Sequence, residues 1–195
     1  MKRFMQNFAM SLLLFVLIAV TGCATLSYEA AMGIDDFYGT WNGSTIIEAS
    51  ALGNLALTQK LVKSGAYIDA KDDSGETALI KTIISLFHVD EGENNEKLLN
   101  DKFNCASYLI NVGADVNQKD KNGFTAIMIA LIDEENSNLL LEEYREKIVS
   151  LLIQHGANVN EKVENEKYKN FNLLECAEYH GNENIVRLLK DAGAK

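Results

Sequence analysis

The sequence predicts an all-α domain, a repeat solenoid of helix–turn–helix units, placed behind a short export segment. Three observations predict it. A short motif, an apolar pair followed by two spacers and Gly-Ala, recurs four times. The glycines of successive units stand at fixed steps from one another. And the 195-residue chain contains no proline, so no position lacks the backbone N–H that a helix needs.

The motif reads Leu61-Val62-Lys63-Ser64-Gly65-Ala66, then Leu109-Ile110-Asn111-Val112-Gly113-Ala114. It returns as Leu152-Ile153-Gln154-His155-Gly156-Ala157 and as Leu189-Lys190-Asp191-Ala192-Gly193-Ala194, with Lys190 in place of the second apolar residue. The glycine sits where a helix ends and the chain must turn left-handed. Three copies run on into short alternating stretches, Tyr67-Ile68-Asp69, Asp115-Val116-Asn117 and Asn158-Val159-Asn160. Two of these reach a turn, Asp72-Asp73-Ser74-Gly75 and Asp120-Lys121-Asn122-Gly123. Thr77 and Thr125 follow, each able to cap the free N–H groups of a new helix. The leucines at 61, 109, 152 and 189 face the neighbouring unit. A single unit cannot bury its own apolar face, so several must stack.

The spacing is consistent across the units. Gly53 to Gly65 and Gly181 to Gly193 are both 12 residues, and Gly65 to Gly75 and Gly113 to Gly123 are both 10. These residues resemble ankyrin repeats, units of about 33 residues made of a hairpin turn and two antiparallel helices. The resemblance implies a domain over 40–195, with about four repeats near 42–72, 73–120, 121–161 and 168–195 and β-hairpin loops between them. The Gly-Ala pitches of 48, 43 and 37 exceed the family unit. Insertions between the two helices of the second and third repeats, around 89–102 and 133–145, account for the first two. A longer last hairpin, 161–170, accounts for the third. First helices are expected near 45–52, 77–87, 125–132 and 173–180. Second helices are expected near 55–64, 103–112, 142–155 and 182–192, with 138–146 itself helical in pattern. The family's Thr-Pro-Leu-His is reduced to Thr-Ala-Leu-Ile and Thr-Ala-Ile-Met here.

The resemblance also implies a binding module that works through surface complementarity along hairpin tips and first helices, without catalysis. The residues matching its variable tip positions are Lys71, Asp73, Ser74, Glu76, Lys119, Lys121 and Asn122. Phe124 and Phe171 stand just after a tip, either as aromatic anchors for a partner or packed onto the next repeat.

Ahead of the repeats, Lys2 and Arg3 precede an apolar run over 8–20 that only Ser11 interrupts. A spanning helix needs about 20 apolar residues, so the run suits a signal segment better than a membrane span. Val20-Thr21-Gly22-Cys23 resembles the bacterial lipobox, which implies cleavage after residue 22 and lipidation of Cys23. Residues 23–39 then form a lipidated tether, and the domain is expected in the bacterial cell envelope, on a periplasmic or surface membrane face.

Composition narrows the chemistry. The net charge is −10, which repels nucleic-acid phosphates. The three histidines form no paired ligand spacing, no nucleophile elbow or phosphate loop occurs, and neither a metal nor any other cofactor is expected. Cys105 and Cys176 fall two repeats apart, too far for a disulfide, and read as small buried hydrophobes. The acidic runs 90–93 and 133–135 lack the alternating oxygens of a calcium loop. They read as solvated loops emerging at one edge. The leading expectation is a membrane-tethered scaffold for an unknown protein partner. The alternative is an inhibitor or immunity-type protein that blocks a toxin or envelope enzyme.

Overall fold

A computed structural model of the protein describes residues 43–88, 95–132, 139–163 and 171–195, all within the unit Trp41–Lys195. The export segment, Cys23, the tether and the acidic runs 90–93 and 133–135 lie outside the described residues.

The described chain folds as four helix pairs. They are α1 (Gly43–Ala51) with α2 (Leu55–Lys63), α3 (Ala78–Phe87) with α4 (Asn95–Asn111), α5 (Ala126–Ile132) with α6 (Leu139–Gln154), and α7 (Leu173–His180) with α8 (Glu183–Asp191). Each helix packs against its own partner. First helices stack in the order α1, α3, α5, α7, and second helices in the order α2, α4, α6, α8. Two helical layers result, with the core between them. No strand occurs among the described residues; an isolated bridge joins Lys162 to Asn172. None of the described helices is long and apolar enough to cross a membrane.

The recurring motif explains the second layer. Leu61, Leu109, Leu152 and Leu189 are each fully buried, a burial that stabilises by roughly 1.5–3 kcal/mol per side chain. Each leucine carbonyl also accepts the backbone N–H of the alanine five residues on, at 2.9–3.0 Å. That bond closes the helix end and needs a left-handed residue between; Gly113, at φ 98°, is one such residue. The first layer starts as expected: Thr77 Oγ1 accepts Ile80 N–H at 3.3 Å and Thr125 Oγ1 accepts Met128 N–H at 3.5 Å. In α7 the cap is Asn172, in a reciprocal capping box with Glu175.

One second helix, α4, starts earlier than expected, and α6 starts where the helical pattern of 138–146 places it. α4 begins at Asn95 and α6 at Leu139, so parts of both insertions are helix. Leu99, Leu141 and Tyr144 are buried, and Tyr144 meets Phe103 at a ring distance of 5.7 Å. The added turns therefore pay their ordering cost by widening the core.

The extension changes one position in a regular way. Asn54, Lys102, Arg145 and Asn182 each stand 11 residues before the terminal glycine of their pair. Where the helix–helix turn is tight, this residue is asparagine and caps the second helix: Asn54 Oδ1 accepts Leu57 N–H and Asn182 Oδ1 accepts Ile185 N–H, both at 3.0 Å. The tight turns also bring backbone N–H groups to the last carbonyls of the first helix, as Gly181 does for Ala177 at 3.1 Å. Where an insertion intervenes, this position lies mid-helix and is a buried cation. Lys102 Nζ donates to Ser85 O at 2.5 Å, and the Arg145 guanidinium donates to Ala130 O. A charged donor thus satisfies a helix-end carbonyl and complements the negative end of the helix dipole. Burial lowers the Lys102 pKa below its ordinary value.

Candidate functional site

The tips between α2 and α3 and between α4 and α5 are built alike. Asp72 Oδ1 accepts the N–H groups of Ser74 and Glu76 at 2.8 and 2.9 Å. Asp120 Oδ1, 48 positions on, accepts those of Asn122 and Phe124, both at 2.8 Å. A short aspartate holding two downstream amides is an Asx turn, which fixes the tip without a strand ladder.

Adjacent tips are tied to one another. Lys121 N–H donates to Ser74 O at 3.0 Å, and Lys71 Nζ donates to Lys119 O at 2.8 Å. Lys119 in turn pairs with Glu161 at 2.8 Å. Gly75, at φ 77°, lies so close to the next tip that a Cβ there would stand 2.8 Å from the Lys121 nitrogen. Glu76 is turned towards α3 and pairs with Lys81 at 2.5 Å, which raises the Lys81 pKa through that hydrogen bond, with burial opposing it.

The sequence-expected binding residues thus divide by what they already do. Asp73, Ser74, Lys121 and Asn122 are exposed along the tip edge. Lys71 and Lys119 are exposed but hold neighbouring tips, and Glu76 is half-buried in its ion pair. Phe124 and Phe171 are half-buried against the core, and Phe171 meets Tyr179 edge-on at 6.2 Å. Both rings pack against the core and keep part of their surface open.

The structure adds residues that the motif reading did not single out. Leu52, just past α1, is 74% exposed. It borders a cleft of about 620 Å³ shared with Ile47, Glu48 and the tip residues Lys71, Asp73 and Ser74. First helix and following tip thus form one concavity with an apolar contact in it. The local signal was present in Leu52 preceding the turn glycine Gly53, but only packing shows that none of the described helices covers it. Tyr67 is likewise 70% exposed.

No group of three or more His, Cys, Asp or Glu side chains is placed to hold a metal ion among the described residues. His88 and His155 sit at helix ends with Nδ1 2.9 and 3.0 Å from carbonyls of their own helices. Cys105 and Cys176 are free and fully buried, and desolvation pushes each thiol pKa up to about 11. A thiol so held is a poor nucleophile at neutral pH.

Residues 98–195, half of the chain, match the family model described as ankyrin repeats (3 copies). The chain belongs to the ankyrin-repeat family. Ankyrin repeats are generally protein–protein interaction modules. The match begins inside α4, so α1, α2 and α3 precede the matched segment.

Proposed function

We propose that the protein is a membrane-tethered ankyrin scaffold of the bacterial envelope that binds a protein partner and performs no chemistry. In this reading α1 and α2 are a degenerate first repeat, making four. The observation that carries the binding reading is the concavity between α1 and the 72–75 tip, where exposed Leu52 stands beside Lys71, Asp73 and Ser74. An exposed apolar side chain inside a polar rim is the composition of a protein-contact centre. Asp73, Lys121 and Asn122 extend the same edge with side chains that are exposed to solvent.

The tether rests on the signal pattern and on Cys23 of the lipobox-like Val20-Thr21-Gly22-Cys23. Two or more acyl chains at Cys23 make anchoring stable, since each buried methylene contributes about 0.8 kcal/mol. Confinement to a membrane face raises the effective concentration of the module for partners held there.

The test is affinity capture from solubilised membranes with identification of the captured protein by mass spectrometry. Cys23→Ala should move the chain out of the membrane fraction. Leu52→Asp combined with Lys121→Glu should release the partner while the melting temperature holds. A partner retained through changes along the whole tip face overturns the groove; membrane association of Cys23→Ala overturns the lipid anchor.

A further inference from the structure

The interaction reading leaves the opposite edge of the stack unused, where the two helices of each pair join. We propose that the cleft there, between the start of α6 and the α7–α8 turn, receives one basic side chain, arginine or lysine, of a protein partner. The inference rests on the reading of the chain as an interaction module, but it uses none of the tip residues.

Three observations lead to it. The cleft has a volume of about 440 Å³, within the range of ligand-sized clefts, roughly 300–1,000 Å³. Its floor is apolar: Leu131, Ala177 and Ile185, each a buried core residue. Such a floor suits the methylene stem of a long cationic side chain. Its rim carries Glu142, Glu146 and Glu183 against Arg145 and His180, the last with its pKa lowered by burial.

Arg145 offsets one rim carboxylate, Glu142, and leaves Glu146 and Glu183. Its side chain is 5% exposed and turned inward, bonded to Glu142 Oε1 at 3.0 Å and to Ala130 O, with the guanidinium 4.4 Å from the centre of the Phe87 ring. Two of the carboxylates also accept from neutral amides. Asn182 Nδ2 donates to Glu142 Oε2 at 2.8 Å and Asn184 Nδ2 donates to Glu146 Oε1 at 2.9 Å. An amide orients a carboxylate without cancelling its charge. Glu183 is exposed and has no ion pair among the described residues. With Glu142 paired to Arg145, Glu146 and Glu183 leave the cleft with a net negative charge over a low-dielectric floor, which favours a ligand of the other sign. The ligand is therefore a cation with an apolar stem.

The test is a titration of the full chain with N-acetyl-arginine amide, and in parallel with N-acetyl-citrulline amide, its neutral near-isostere, followed by backbone amide chemical shifts. Arginine should shift residues 142–146 and 181–185, and citrulline should not. Glu146→Gln with Glu183→Gln should weaken the arginine response about tenfold, the loss of two partly exposed ion pairs, at an unchanged melting temperature. Arginine shifts scattered over exposed carboxylates, an equal response to citrulline, or full retention in the double variant overturns the proposal. Failure here with tip-dependent partner capture intact removes the cleft alone. Cleft binding with tip-independent capture removes the groove alone.

Discussion

Asn117 Oδ1 accepts the backbone N–H of Asn158 at 2.8 Å, and the same side chain's Nδ2 donates to Gly156 O at 3.0 Å, so one amide ties two helix pairs together at both ends. The relationship repeats. Asn160 Oδ1 accepts Lys195 N–H at 3.1 Å and its Nδ2 reaches Gly193 O at 3.4 Å. At the first step the residue is Asp69, which accepts Asp115 N–H at 3.0 Å but has no amide to offer Gly113 O. The ladder is therefore complete at two steps and half-made at one.

Asn117→Ala should lower stability by about 2 kcal/mol, two hydrogen bonds at roughly 1 kcal/mol each. Asp69→Asn should raise it by about 0.5–1 kcal/mol by supplying the missing donor. Urea unfolding midpoints measure both. A lower midpoint for Asp69→Asn would show that the carboxylate at this step does something an amide cannot.

Gly75 and Gly123 occupy matching tip positions at φ 77° and 84°. A Cβ at Gly75 would meet Lys121 N at 2.8 Å, whereas one at Gly123 finds nothing within 4 Å. Alanine at either position bears the left-handed penalty of about 1–2 kcal/mol. Gly75→Ala must also push adjacent tips apart, breaking the bond from Lys121 N–H to Ser74 O. Thermal unfolding should place Gly75→Ala below Gly123→Ala by at least about 1 kcal/mol; equal losses would mean that the tips can separate freely.

The buried thiols set an alkaline limit. The folded pKa values of Cys105 and Cys176, at about 11, lie above the ordinary value of 9.0. The unfolded chain thus releases these protons first, and folded stability falls as pH rises from 9 towards 11. The two-unit shift corresponds to a loss on the order of 2 kcal/mol per thiol. In a Cys23→Ala background, melting temperature should drop across this window, and Cys105→Ala or Cys176→Ala should each flatten the slope. A thiol reagent at neutral pH should label neither cysteine until the chain unfolds; rapid labelling of the native protein would contradict their burial.

Much of the stack was legible in the chain because its cause is local. The terminal glycines, the leucine four residues before each one, and the capping threonines are all set by backbone geometry within one turn of helix, and the structure places all of them in those roles. The matched segment 98–195 agrees with the family read from these same residues. The start of α6 at Leu139 agrees with the helical pattern read over 138–146, but the start of α4 was less legible. Leu99 becomes helical where neighbouring pairs offer it a core, and the motif did not reveal that. The tip lysines were also read in part. Their exposure was expected, but the bonds of Lys71 and Lys119 to adjacent tips follow from stacking.

The sequence alone determined that the repeat region is helical, repeated and broken by glycine turns, because each of those properties depends on residues close together along the backbone. It also carried the lipobox-like pattern ending at Cys23, a short linear signal. Tertiary structure decided which repeated positions differ in role. Asn54 and Asn182 cap helices while Lys102 and Arg145, at the same register, reach carbonyls near the ends of the preceding helices. It decided too that Leu52 is left open and that Glu142, Glu146 and Glu183 share one cleft. The reason is physical. Satisfying a carbonyl, exposing an apolar side chain and gathering charge all depend on which helix pair lies alongside, and residues some 40 positions apart become neighbours only when the units stack.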